Sequence, residues 1–384
     1  MRVLYVSSGL DPRTGGTATA AINVCLAAQR AGLEPTLAYP LAPDSAAAVA
    51  PLTAALDEAG IAHHAFAFAE RRRAVEWGIS TDLDRWLKRH VRDYDLVHAH
   101  SVWVMSSLAA VRAARHAHRP VVVMPHEGLT RFDMARAGNG WLKQAKRVLR
   151  WWYRLKTDRF ILASELERLD SALPERSAVA IPHPVLDERL PAPAPRSFPA
   201  DGPYTVGFLG RIHPKKNLHR LIRALPLVPD LRLVIGGDGP EREKSRLEDL
   251  ISHHQLEDRV EWRGFVAAAD KARFFREVDL IAMPSEFECF GLVAAEALGE
   301  GVPVLVSPTV GLAEWVEAGE CGLVVPPRAD AIAVALAKLG KDGLLARCAA
   351  KARATALRHF SFAAHGRALA TLYADLTGRG SAHT

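Results

Sequence analysis

Apolar residues in this chain fall into short runs of strand length, separated by stretches with helical spacing. The densest such stretch is Val278 to Val306, VDLIAMPSEFECFGLVAAEALGEGVPVLV. Its pattern predicts a buried strand over Val278 to Met283 and a loop over Pro284 to Phe290. A helix over Gly291 to Leu298 and a second buried strand over Val302 to Val306 follow. Glu288 then lies in the loop at the carboxyl end of a strand, and Glu296 just inside the helix. In an open α/β sheet, ligands bind in that crevice. Backbone N–H groups at the helix start favour a phosphate, and a carboxylate beside them accepts hydrogen bonds from hydroxyls. Phosphate plus hydroxyls describes a nucleotide sugar. The same spacing also fits a loop charge and a solvated helix charge.

The first half alternates strand and helix. Val3 to Ser7 reads as a strand, Gly9 to Gly16 as a loop, and Thr17 to Ala31 as a helix with Thr17 as N-cap. Gly15 and Gly16 let a backbone approach a ligand closely, or form a plain tight turn. They do not make the spaced-glycine fingerprint of a dinucleotide site. Next come Glu34 to Tyr39 (strand), Ala46 to Ala59 and Thr81 to Arg92 (helices), Asp95 to Ala99 (strand), Val102 to His116 (helix) and Pro120 to Met124 (strand). This alternation predicts a parallel, doubly wound sheet. His126, in Pro125-His126-Glu127-Gly128, follows a strand and so sits at the ligand face. His98 and His100 flank another strand end and read as packed or solvated. The run Arg71-Arg72-Arg73 reads as a solvated loop.

The segment Trp141 to Arg159, WLKQAKRVLRWWYRLKTDR, reads as an amphipathic helix. Trp141, Leu142, Ala145, Val148, Leu149, Trp152 and Leu155 share one face, and Lys143, Lys146, Arg147, Arg150 and Arg154 the other. Two readings fit: a core-facing helix with a solvated basic back, or contact with an anionic membrane face, where Trp, Tyr and basic residues are favoured.

The second half opens with a strand, Tyr204 to Leu209, and then Gly210-Arg211-Ile212-His213-Pro214-Lys215-Lys216-Asn217 before a helix. Permanent cations beside a helix start suit a diphosphate. Strands over Leu231 to Ile235 and Val260 to Arg263 follow. The tail reads as three helices, Ala329 to Leu339, Leu344 to Arg358 and Phe362 to Leu376. Residues 187–203, rich in Pro and Ala, read as a linker.

Length and composition narrow this picture. A chain of 384 residues exceeds one ordinary domain, and 49% hydrophobic residues suffice for two cores. Lys plus Arg exceed Asp plus Glu by 49 − 43 = 6. That excess suits an anionic ligand or membrane surface and is too weak for nucleic acid. Cys25, Cys289, Cys321 and Cys348 are widely spaced, as in a reduced, cytoplasmic chain. The run MRVLYVSSGL is too short for a signal peptide, and no stretch reaches the roughly 18 apolar residues of a membrane span.

The segment SEFECFGLVAAEALGEGVPVLVS resembles the signature of the retaining GT-B glycosyltransferases of family 4: Glu, seven residues, Glu, with Phe-Gly after the first and Gly-x-Pro-Val after the second. The resemblance implies that Glu288, Cys289, Phe290, Gly291 and Leu292 hold the donor sugar and that Glu296 holds the ribose hydroxyls. Arg211 and Lys216, with Lys215 as an alternative, would hold the diphosphate. Gly264, Phe265 and Val266 would line the base pocket. Gly15 and Gly16 would face the donor phosphate and the acceptor, and His126 would line the donor site against the acceptor. His126, Arg211, Lys216 and Glu288 are the candidate catalytic residues. Gly236 to Pro240, Val310 to Glu314, Gly322 to Pro326 and Ser164…Glu167 also match. Ile181-Pro182-His183-Pro184-Val185 matches Ile-Pro-Asn-Gly-Val only in part.

The resemblance further implies an α/β GT-B fold, two Rossmann-like doubly wound domains facing a central cleft. The expected boundaries are 1–190, a linker 191–203, and 204–361, with the helix at 362–384 crossing back to the first domain. The implied activity is transfer of a sugar from a nucleotide sugar to an acceptor hydroxyl with retention, in polysaccharide or glycolipid biosynthesis. Domain closure would exclude water. The acceptor would be a saccharide or lipid-linked saccharide. The nucleotide sugar is substrate, no other cofactor is implied, and no Asp-x-Asp pair offers a metal site. The location would be cytoplasmic, or peripheral on the inner membrane face. The same clamp would also serve a phosphorylase- or synthase-like enzyme with a soluble sugar-phosphate acceptor. A sugar-nucleotide epimerase shares the two-domain fold, and a non-catalytic sugar-nucleotide binder would need the same donor contacts.

Overall fold

The structure, a computed structural model, describes residues 1–70, 75–136, 138, 140–194, 197–198 and 203–379. Arg71 to Arg73, part of the expected linker and the last five residues of the expected 362–384 helix lie outside them. The chain divides into two compact units, one running from Met1 to Pro184 and resuming at Phe362, the other Val185–Ser361.

The first unit is a seven-stranded sheet. Its strands are β1 (Arg2–Val6), β2 (Glu34–Leu41), β3 (Ala62–Ala67), β4 (Leu96–His100), β5 (Val121–Met124), β6 (Arg159–Leu162) and β7 (Ala178–Ala180). The spatial order is β3-β2-β1-β4-β5-β6-β7, all pairs parallel. β4 and β5 are buried along their whole length; β5 therefore reads as a continuous apolar run, whereas β4 also buries His98 and His100. Order reverses between β1 and β4, the point where open sheets place ligands. Alternate side chains feed two cores. One holds Tyr5, Leu37, Val122 and Tyr373, the other Leu4, Val97, Phe160 and Tyr153.

The helix Phe362–Leu376 belongs to this unit because it packs on the helix Thr17–Arg30. A Cβ at Gly366 would come within 2.3 Å of Ala27 O, so the contact requires glycine. Arg30 lies 4.5 Å over the Phe362 ring.

The second unit is a six-stranded parallel sheet of β8 (Thr205–Leu209), β9 (Arg232–Gly236), β10 (Val260–Gly264), β11 (Leu280–Met283), β12 (Val304–Val306) and β13 (Gly322–Val324). Its order is β10-β9-β8-β11-β12-β13, reversing between β8 and β11. Both units are therefore doubly wound α/β folds.

Several local expectations are corrected. Thr17 is the first helical residue, and Gly16 is the N-cap, without a side-chain bond. The helix expected from Gly291 is Leu292–Gly299, capped by Gly291 at φ 106°, so Glu296 lies in its second turn. The helix expected from Val102 begins at Met105. The chain enters the second unit before residue 190: the N–H groups of Val185 and Leu186 donate to Phe360 O at 2.9 and 3.2 Å. β3 carries two histidines and is largely exposed, and β7 has three residues; neither makes an apolar run long enough to read.

The amphipathic helix spans Gly140–Lys156, and Arg159 opens β6. Its orientation differs from the wheel. Lys146 turns inward, donating to Asp133 at 2.7 Å over the Trp103 ring. Arg150 also turns inward and donates to Ser171 O. Tyr153 is buried with Leu149 and Trp152 beside it. Trp141, Val148, Trp151 and Leu155 instead face solvent, 64%, 66%, 62% and 55% exposed. Complete burial of a large apolar side chain contributes roughly 1.5–3 kcal/mol, and each of these forgoes part of it.

Candidate active site

In the second unit, loops at the carboxyl ends of neighbouring strands are tied together. After β8, Gly210 N donates to Gly236 O (3.0 Å) and Ile212 N to Asp238 O (2.8 Å). Gly237 N donates to Gly264 O at the end of β10 (2.6 Å). A Cβ at Gly237 would lie 1.9 Å from Gly210 O, so this approach requires glycine. The strand ends therefore form one rigid rim carrying Arg211, Gly264 and Phe265. Arg211 is exposed and without a partner among the described residues. Phe265 is 60% exposed, an unusual amount of open aromatic surface.

The two signature stretches meet here. The loop after β8 ends in a 3-10 turn, Pro214–Lys216, followed by Asn217 at φ 53°. The buried Asn217 amide donates to Pro284 O (2.9 Å), and Glu286 N donates to Lys215 O (2.8 Å). These bonds hold the turn against the loop after β11. As a result the Lys216 ammonium donates to Glu288 at 2.7 Å, both side chains less than a fifth exposed. Lys215 points elsewhere, 5.9 Å over the Phe287 ring. Glu288 is held in turn by backbone bonds, N to Thr309 O (3.0 Å) and O from Gly311 N (2.9 Å).

Glu296 is not paired with Arg211 or Lys216. Lys271, at the start of the helix Lys271–Glu277, lies 2.8 Å from both its carboxylate oxygens. Sequence reading missed Lys271, because nothing near it in the chain marks a partner 25 residues away. Gly291 allows the helix start to sit close: a Cβ there would fall 2.8 Å from Val310 and 2.9 Å from Leu312. Phe290 anchors the stretch in the core, edge-on to Trp315 and Phe360. Cys289 and Leu292 are half-buried beside it. This site offers two lysine–carboxylate pairs and an open guanidinium, which together provide donors and acceptors for hydroxyls and positive charge for phosphate.

In the first unit, Gly15 and Gly16 are exposed and join a 3-10 turn to the helix Thr17–Arg30. His126 and Glu127 both have positive φ, 50° and 74°, a conformation that non-glycine residues hold only when their surroundings enforce it. Glu167 does so. Its buried carboxylate accepts from Glu127 N and Ala163 N, both at 2.7 Å. Burial nevertheless outweighs these bonds and pushes the Glu167 carboxyl up to about 7. This is the last Glu of the Ser164…Glu167 match, and its task here is to fasten the turn that carries His126.

His98 and His100 are fully buried and join His126. The rings of His98 and His100 stack at 4.7 Å, His100 and His126 at 5.2 Å, and His126 and His183 at 5.3 Å. His100 Nδ1 lies 3.0 Å from His126 Nε2. Burial, with neighbouring rings adding to it, holds all four well below the ordinary imidazole value, so they are neutral near pH 7. The sequence set His126 apart from His98 and His100; the register of β4 beside β5 brings these three together, and His183 joins from the segment after β7.

Comparison with known proteins bears on the family and the fold. The family model described as "Glycosyltransferase Family 4" matches residues 14–185, and that described as "Glycosyl transferases group 1" matches residues 194–355. The chain is 29% identical over 306 residues to a phosphatidyl-myo-inositol mannosyltransferase of Mycobacterium leprae, covering 77% of each. It is 34% identical over 217 residues to a D-inositol 3-phosphate glycosyltransferase of a Mycobacterium species, covering 53% of this chain and 48% of that protein. It thus spans about half the length of that second relative. Among solved structures, Anabaena HepE in complex with UDP and glucose aligns with a TM-score of 0.76 at 21% identity, over 98% of this chain and 100% of that one. This likeness concerns the fold. With both halves matched in order, the chain belongs to the GT-B glycosyltransferases, its first half of the Glycosyltransferase Family 4 type and its second of the Glycosyl transferases group 1 type.

Proposed function

We propose that the enzyme transfers a sugar from a nucleoside diphosphate sugar to an acceptor hydroxyl with retention of anomeric configuration and without a divalent cation. The observation that carries this is the Lys216–Glu288 pair beside the open Arg211 rim, with Glu296 held one helix turn further on. As the glycosidic bond breaks, charge builds on the leaving diphosphate. Arg211 and Lys216 stabilise it, as fixed charges aimed at a transition state do. Glu288 accepts hydrogen bonds from sugar hydroxyls, and Glu296 from the ribose. Phe265 offers an aromatic face to the base. HepE was solved with UDP and glucose, which favours a uridine donor. Thermal shift across nucleoside diphosphates, followed by turnover with the matching sugars in EDTA, tests this reading. A diphosphate that stabilises the fold and a sugar transferred in EDTA are the expected results.

The acceptor is read as a saccharide or lipid-linked saccharide at an anionic membrane face in the cytoplasm. The outward Trp141, Val148, Trp151 and Leu155, beside exposed Arg147 and Arg154, favour a peripheral contact. A soluble polyol phosphate is the second reading, favoured by the relatives named for D-inositol 3-phosphate.

A further inference from the structure

The histidine column of the first unit has a direction, and His365 reveals it. His365 Nδ1 lies 2.7 Å from Pro182 O. A carbonyl only accepts, so Nδ1 carries the proton, and in the neutral ring Nε2 is bare. That Nε2 is buried without a hydrogen-bond partner among the described residues. This interior therefore tolerates a bare ring nitrogen.

His98 and His100 repeat the pattern. Each has its Nε2 buried and unpartnered among the described residues and its Nδ1 engaged, on Tyr373 Oη at 2.7 Å and on His126 Nε2 at 3.0 Å. A proton on Nε2 would leave a buried donor orphaned, which folded proteins avoid more strictly than an under-used acceptor. The proton of His100 therefore sits on Nδ1 and is donated to His126 Nε2. A neutral His126 then carries its own proton on Nδ1.

We propose that His100 is a positioning residue that fixes His126 in the Nδ1–H tautomer, so that His126 offers substrate a hydrogen-bond donor and not a base. The lone pair that could accept a proton is occupied by His100. Glu167, by clamping the turn at Glu127 N, keeps the ring in reach of that donor. The catalytic consequence rests on the transfer reading above; the tautomer does not.

The test uses the full chain with ¹⁵N-labelled histidine. The His126 resonance, assigned by its loss in His126→Gln, is expected as a single neutral tautomer protonated at Nδ1. His100→Phe keeps a ring in the stack but removes the donor, and His100→Asn restores an amide donor near the Nδ1 position. The Phe variant is expected to lose the single-tautomer pattern and about tenfold in kcat, the scale of one hydrogen bond, with nucleotide affinity unchanged. The Asn variant is expected to recover both. A wild-type His126 protonated at Nε2, or a mixture of tautomers, overturns the proposal. So does a Phe variant with wild-type kcat and tautomer. Should the Phe variant not fold, the wild-type spectrum decides alone. If no nucleotide sugar is turned over, the transfer reading fails while the spectrum still decides this one.

Discussion

Lys216 Nζ lies 2.7 Å from Glu288 Oε1, although the two are 72 positions apart in the chain. The pair links the loop after β8 to the loop after β11, across the switch point of the second sheet. On the proposed reading it sets the cation that would meet phosphate against the carboxylate that would meet sugar, so donor binding is expected to reapportion this contact.

Replacing Arg211 or Lys216 by Ala is expected to lower turnover at least about tenfold, since each removes a charge-assisted contact of on the order of 2 kcal/mol. Lys215→Ala is expected to stay near wild type, because Lys215 rests over Phe287. Steady-state rates for the three variants check this, and a Lys215 effect equal to that of Lys216 would contradict the assignment.

On the proposed reading, the two glutamates divide the donor between them. Glu296→Gln is expected to weaken binding of the nucleoside diphosphate itself, and Glu288→Gln to spare that binding while impairing transfer. Lys271→Met is expected to follow Glu296→Gln, since Lys271 grips both oxygens of Glu296. Calorimetric titration with the diphosphate would refute this division if Glu288→Gln and Glu296→Gln lost affinity equally.

Glu167 gives a pH signature. Its folded carboxyl is raised from 4.5 to about 7, so the folded state holds the proton more tightly than the unfolded chain. Its contribution to stability is greatest below pH 4.5 and is lost as pH rises to about 7, a change of roughly 3 kcal/mol. The buried histidines act oppositely, losing stability as pH falls below the ordinary imidazole value. The Glu167 part is isolated by the wild-type minus Glu167→Gln difference in urea stability. That difference is expected to fall across this window, and a flat difference would show that the carboxyl titrates normally.

The exposed stripe of the helix Gly140–Lys156 predicts that wild-type protein floats with anionic vesicles at low salt and is released by salt. Trp141→Ser, Trp151→Ser, Arg147→Gln and Arg154→Gln together should abolish flotation without unfolding the first unit. Lys146 and Arg150 do not belong in that set, because they hold Asp133 and Ser171. Wild-type protein that stays with the soluble fraction would favour the soluble acceptor.

Central strands such as β5 and β11 were legible because they are buried along their whole length and read as apolar runs, whereas β4 also carries His98 and His100. Also legible was the frame of Glu288 and Glu296, which lies within one strand–loop–helix unit. What stayed hidden depends on contacts distant in sequence. Lys271 reaches Glu296 from another helix, and Glu167 reaches Glu127 across 40 positions. The histidine column depends on the register of β4 beside β5 and on the segment after β7 that brings His183. The helix at Gly140–Lys156 was legible as a helix, yet a wheel could not choose its inward face, since Lys146 and Arg150 find buried acceptors. Gly16 displaced Thr17 as cap because the turn before it carries Gly15 at φ 133°, and the helix then begins one residue earlier than a Thr cap requires.

The most direct test of the account is the anomeric outcome of a single transfer. Purified enzyme is incubated in EDTA with the nucleotide sugar whose diphosphate stabilises it and with an acceptor alcohol, and the anomeric configuration of the new linkage is read by proton NMR. The account predicts acceptor-dependent release of the nucleoside diphosphate and a product with the donor's anomeric configuration. An inverted product, turnover only with added divalent metal, or an epimerised donor formed without acceptor would contradict it.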